Sequence, residues 1–268
     1  MIVIGEKINA TRKAVAVAIK ARDEDYIIST ATAQVEAGAD YLDVNGGDPT
    51  AETEVANMEW LVKLVQANAD VPLCIDSASP KAMAAGLALA EEKPIANSIS
   101  LEAERLQALL PVIADHDCMV IALCMSDEGT PAGADDRVAR AAKLIEHLTG
   151  AGKRVDEIII DPCFFPVSAE PASAGHLCQA VAEIRRQFPE VHVGGGLSNV
   201  SYGLPQRRLI NLAMLAVATC HGMDAAIIDP CTPGVAAMIL AAEVISGADE
   251  WCANYVAAHR EGKLIAGS

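Results

Sequence analysis

Short β-branched runs alternate with amphipathic helical stretches from one end of the chain to the other. The runs are "MIVIGEKI", "YLDVN", "PLCIDS", "PIANSIS", "CMVIALCM", "EIIIDPC", "HVGGGLSN" and "AAIIDP". Between them, stretches such as "DYIISTATAQVEAGA", "EVANMEWLVKLVQAN", "EAERLQALLPVIAD" and "DRVARAAKLIEHLTGAG" carry apolar residues at three- and four-residue steps, the spacing of one helix face. Glycines in "EAGAD" and "TGAG" stop helices. This makes eight β-then-α units, with a further helix around Glu250–Arg260. Parallel strands need crossover helices, and eight such units close into a (β/α)8 TIM barrel of roughly 250 residues. An open doubly wound sheet would carry a glycine-rich phosphate turn after its first strand, and "GEKINATRK" has none. No Pro/Gly/Ser-rich linker interrupts the pattern, so a single domain over 1–268 is expected.

The 268 residues are 52% hydrophobic but only 3% aromatic, so the core is aliphatic and alanine-rich. A net charge of −16 disfavours nucleic acid and anionic membrane surfaces, which call for a basic face. No uninterrupted apolar run reaches the roughly 20 residues of a membrane helix, and "MIVIGEKINA" reads as a strand rather than a signal segment. The eight cysteines include no C-x-x-C pair, and several sit in apolar runs, as free buried thiols do in a reducing compartment. A soluble cytoplasmic protein is the expectation. The six histidines fall mostly in helices or at strand starts, so neither a metal site nor a Ser–His–Asp nucleophile is expected.

A barrel of this kind places its chemistry at the C-terminal ends of the strands. Read in order, those ends supply Glu6 and Asn9, Asp43 and Asn45, Asp76, Asn97, Cys124 to Ser126, Asp161, Ser198 and Asn199, and Asp229. A single Asp after a strand usually caps the next helix. Eight ends converging on one mouth are different: so many carboxylates and amides require a neutral ligand rich in hydrogen bonds. The 2-amino-4-oxo edge of a pterin or a guanine has that mixture, with Asp76 and Asp161 accepting from its N–H groups and Asn97 matching an amide-like edge. Purines stay open on this reading, although no phosphate cradle is evident. "GGG" at 194–196 lacks the dinucleotide spacing and suits close backbone approach beside a flat ligand.

The segments "IGEKIN", "AGADYLDVN", "LCIDS", "ANSIS", "IIIDP" and "GLSNVS…R.LIN" resemble the methyltetrahydrofolate:corrinoid-protein methyltransferases. These are pterin-binding barrels related to the folate domain of cobalamin-dependent methionine synthase and, more distantly, to dihydropteroate synthase. The resemblance runs over essentially the whole chain. It implies methyl transfer between N5 of tetrahydrofolate and cobalt, with tetrahydrofolate or 5-methyltetrahydrofolate as substrate. The cobalamin would come on a partner corrinoid protein, because the chain lacks a D-x-H-x-x-G-type segment of its own. The resemblance further implies that Asp76, Asn97 and Asp161 hold the pterin. Asn199 would be the catalytic residue at N5, Ser198 and Gly196 would line the ring, and Arg207 would lie near the substrate on the loop beyond. Tyr202 stands at a substrate-contact position that is glutamine in some members. "SYGLPQRRLIN" looks closer to relatives serving methylamine-, betaine- or aryl-ether-type corrinoid systems. Relatives of this kind pack as homodimers. Dihydropteroate synthase is an alternative on the same fold, but "NGGDPTAE" places acids where that enzyme needs a cation for its leaving pyrophosphate. A non-catalytic pterin-binding subunit is the second alternative.

Overall fold

In the computed structural model, which describes residues 1–264, the eight runs form one closed barrel with the strands in sequence order. They are β1 (Ile2–Asn9), β2 (Tyr41–Asn45), β3 (Leu73–Asp76), β4 (Ile95–Leu101), β5 (Met119–Ser126), β6 (Ile158–Asp161), β7 (His192–Gly196) and β8 (Ala225–Ile228). Every neighbouring pair is parallel, and β8 closes on β1 in a register running from Ile2 opposite Ala225 to Gly5 opposite Ile228. The expected domain over 1–268 includes 265–268, which lie outside the described residues.

The helices are α1 (Lys13–Ala21), α2 (Glu24–Glu36), α3 (Ala51–Gln66), α4 (Pro80–Leu89), α5 (Ala103–Ala114), α6 (Ala134–Gly150), α7 (Ser173–Gln187), α8 (Arg207–Cys220), α9 (Val235–Ser246) and α10 (Ala253–Arg260). The short α1 was not legible as a separate element, and it makes the first crossover a two-helix one. The helix expected at Glu250–Arg260 divides into a 3-10 turn at Glu250–Cys252 and α10.

Side chains alternate between two layers, as the two-residue period of a strand requires. Ile4, Cys74, Ile95, Ile121, Ile159 and Ala225 meet inside the barrel. Their chain neighbours Ile75, Ala96, Val120, Ala122, Ile158 and Ile160 face outward into the larger core beneath the helices. All eight cysteines are free, and Cys74, Cys118, Cys124, Cys163 and Cys178 are buried as small apolar fillers. No described helix is long and apolar enough to cross a membrane.

Strand β7 departs most from the sequence pattern. The run "HVGGGLSN" is a strand only to Gly196; Leu197–Ser201 then tightens into a 3-10 turn. Glycine is obligatory along it. A Cβ on Gly194 would lie 1.8 Å from the carbonyl oxygen of Ala225 on β8, and one on Gly195 would lie 2.0 Å from Oδ2 of Asp161. The strand is bare because a backbone stands on one side of it and a carboxylate on the other.

Candidate functional site

At the C-terminal mouth the strand ends are linked to one another by hydrogen bonds. Asp76, at the end of β3, accepts through Oδ2 from the amide of Asn45 (2.9 Å) on β2 and from that of Asn9 (3.2 Å) on β1. Its Oδ1 has no protein donor among the described residues. Asn97, on β4, donates from Nδ2 to Oδ1 of Asp43 at 3.0 Å. The amide nitrogen is therefore engaged, and the carbonyl oxygen has no donor among the described residues. Burial raises the Asp43 carboxyl well above the ordinary range, and the charge of Asp76 adds to this. Asp76 is raised too, chiefly by burial, against the opposing effect of Asn45 and Asn9. Neighbouring carboxyls under low-dielectric cover resist double ionisation, so this half of the mouth tends to retain a proton.

Asp161, at the end of β6, is buried. Its Oδ1 accepts from the Cys163 N–H at 2.8 Å and its Oδ2 from the Gly196 N–H at 3.3 Å. Burial nevertheless pushes its carboxyl up to about 6. The loop beyond it is clamped by Arg137 of α6, whose buried guanidinium donates to the carbonyl oxygens of Pro162 (2.8 Å), Gly133 (3.0 Å) and Cys163 (3.4 Å). A buried guanidinium committed to carbonyls is a rigid brace, because each bond it lost would leave a polar group unsatisfied.

The 3-10 turn after β7 completes the mouth. Ser198 donates from Oγ to Oε2 of Glu6 (3.3 Å), whose other oxygen receives Arg12 at 3.0 Å. Burial lifts the Glu6 carboxyl despite Arg12. Asn199 is exposed and lies over Gly196, where a Cβ would stand 2.9 Å from its Nδ2. Arg207 fastens the turn, donating to the Ser198 carbonyl (2.6 Å) and to Ser201 Oγ (3.0 Å).

Asp76, Asn97, Asp161, Gly196, Ser198 and Asn199 thus occupy one mouth, with β7 opposite β3 in the ring of eight. Tyr202 sits at the rim with its residue 67% exposed and is not gathered with them. Asn9, Asn45 and Asp43 were visible in the sequence only as strand ends. They prove to be the partners that orient Asp76 and Asn97. The signal available for them was the two-residue alternation, which places Asp43 and Asn45 on one side of β2. His192, at the opposite end of the barrel, pairs with Asp224 at 2.9 Å. Among the described residues no group of three or more His, Cys, Asp or Glu is placed to hold a metal ion. The mouth instead offers three acceptors, Asp76 Oδ1, Asn97 Oδ1 and the Asp161 carboxylate, to a flat ligand with adjacent N–H groups.

Residues 5–229 match the family model of the pterin binding enzymes. The chain belongs to that family. Among its relatives, this pterin-binding enzyme is 34% identical over 266 residues to the methylcorrinoid:tetrahydrofolate methyltransferase of Eubacterium limosum, covering 98% of each chain. It is 28% identical over 241 residues to the methionine synthase of Mycobacterium tuberculosis, where the match covers 85% of this chain and 20% of that longer one. Among solved structures, the dihydropteroate synthase of Xanthomonas albilineans in complex with 7,8-dihydropteroate superposes with a TM-score of 0.66. That match has 20% identity and covers 92% of both chains, a likeness of fold alone.

Proposed function

We propose that this pterin-binding enzyme moves a methyl group between N5 of tetrahydrofolate and the cobalt of a corrinoid carried by a partner protein. The observation that carries the reading is the acceptor cluster of Asp76, Asn97 and Asp161 beside Asn199. It occurs in a chain one-third identical, over nearly its whole length, to a methylcorrinoid:tetrahydrofolate methyltransferase. The partner's corrinoid supplies the centre that gives or accepts the methyl group. This chain's residues bind, orient and stabilise charge. The three acceptors take the N–H groups of the pterin edge, and the glycine strand lets the ring approach. Asn199 then bonds to N5. As the methyl leaves, N5 gains electron density, and the amide N–H bond to it strengthens. An amide serves either direction of transfer, since rotation presents its N–H or its carbonyl to unprotonated or protonated N5.

The cytoplasm, where folate and free thiols coexist, is the compartment this reading assigns. A second copy of the chain would pack on the apolar face between α7 and α8, a groove of about 500 Å3 with Val167, Ala174, Ile210 and Val217 in its walls.

The test is anaerobic mixing of the protein with 5-methyltetrahydrofolate and cob(I)alamin, or the partner's reduced corrinoid, following loss of the Co(I) absorbance. Asn199→Ala should slow transfer by about 10²–10³-fold, the usual cost of removing one donor to a developing anion. Its folate affinity should stay within a few-fold. A variant as fast as the unsubstituted protein removes Asn199 from catalysis. A protein that binds folate but transfers nothing, even to its partner, is a presenting subunit instead.

A further inference from the structure

The same mouth holds a polar cavity on the side away from Asp76 and Asn97. It has a volume of about 270 Å3 and lies where β1, β8 and the turn after β7 come together. We infer that this cavity seats the glutamate tail of the folate, with Arg208 as the carboxylate receptor and Asn211 as the partner of the tail's amide N–H. The inference rests on the folate reading above and extends it to the other end of the substrate.

Geometry supplies the first argument. A folate is long: its 2-amino-4-oxo edge lies at one end and its benzoylglutamate at the other. If Asp76 on β3, Asn97 on β4 and Asp161 on β6 hold the edge, the tail leaves toward β7, β8 and β1, which complete the ring. The cavity begins at Ser198, beside the position proposed for N5, and ends among the first residues of α8.

Charge supplies the second. The chain has 20 Lys and Arg against 36 Asp and Glu, yet Arg12, Arg207 and Arg208 all line this one cavity. The acids there are already answered: Glu6 by Arg12 and by Ser198, and Asp229 by Lys7 at 3.6 Å and by the Cys231 N–H. Arg207 is spent on the turn. Arg208 has no hydrogen-bond or carboxylate partner among the described residues. Among the three cations lining this cavity Arg208 alone is uncommitted, which leaves it available to an anion that arrives from outside.

An orphaned atom supplies the third. Asn211 lines the same cavity one helical turn beyond Arg207, and its Oδ1 is buried with no hydrogen-bond partner. Such an acceptor costs stability, and turning the side chain into the cavity would bring it to a donor there. The glutamyl amide offers one N–H flanked by a carboxylate, which matches an orphan acceptor beside a free guanidinium. Leu212, Ile228 and Val235 give the benzoyl ring an apolar wall.

The experiment is calorimetry of the unsubstituted protein and of R208M with two ligands, 5-methyltetrahydrofolate and 5-methyltetrahydropteroate, which lacks the glutamate. The unsubstituted protein should bind the glutamylated ligand about tenfold tighter, as for one charge-assisted contact. R208M should erase that preference and leave the pteroate affinity unchanged. Raising salt should erode the preference in the unsubstituted protein as well, without any substitution. Equal affinity for the two ligands, or equal weakening of both by R208M, overturns the tail subsite while leaving the pterin site standing. Failure of the unsubstituted protein to bind either ligand overturns the folate reading, and this inference with it.

Discussion

Asp161 has a pH signature of its own. Burial raises its carboxyl from 3.8 to about 6, so the native protein holds this proton to higher pH than the unfolded chain does. The residue's contribution to stability therefore falls as pH rises through that window and is level above it. In the binding mode proposed above ligand binding would run the opposite way, because the ionised form is the better acceptor for N–H groups. Folate affinity should be level above about pH 7 and should weaken as pH falls through about 6, approaching tenfold per pH unit. Calorimetry from pH 5 to 8 checks this, and a flat profile means that Asp161 does not receive the ligand. At this scale the sequence was half informative. Asp76 and Asp161 stood out because each ends a strand run; Asn97 was counted with them, but β4 continues past it to Leu101. What Asn9, Asn45 and Asp43 do was hidden, because each pairing joins residues dozens of positions apart and depends on which strands become neighbours.

Among the elements, β7 contributes backbone alone to the mouth, and its glycines divide the work. Gly194→Ala would drive a Cβ into the backbone of β8, which cannot yield without shifting a strand. Stability should fall by about 3 kcal/mol, the upper range for overpacking. Gly195→Ala would meet a side chain instead, and the Asp161 carboxylate can swing away from it. That variant should melt closer to the unsubstituted protein yet lose at least tenfold in folate affinity, since a charge-assisted acceptor is displaced. Denaturant melts and calorimetry on both variants test the division, and the reverse pattern would contradict it. The eight strands were legible from period alone. The turn at Leu197–Ser201 was not, because its residues continue a strand as readily as they end one.

The closed barrel places the mouth at one end and the α7–α8 face on its flank. On α8, the groove residue Val217 is 48% exposed and Leu209 is 61% exposed. Pairing through this flank would take those side chains out of water. Light scattering should therefore give twice the 28.0 kDa chain mass, and Val217→Glu should return the chain mass with folate binding retained. A monomer in the unsubstituted protein ends the dimer reading. The barrel and its polar mouth followed from the sequence; the flank did not, since an apolar helix position reads alike whether it meets its own core or a second chain.

The three glycines of β7 have one more consequence, and it lies in the chain before it folds. No residue type wanders more widely when unfolded, and each glycine costs roughly 0.5–1 kcal/mol more to order than an alanine would. Three in succession amount to about 1.5–3 kcal/mol, a sizeable share of the roughly 5–15 kcal/mol that holds a domain together. No contact in the folded barrel records that cost. It is the entropy surrendered so that β7 can pass between the backbone of β8 and the carboxylate of Asp161 with no side chain of its own.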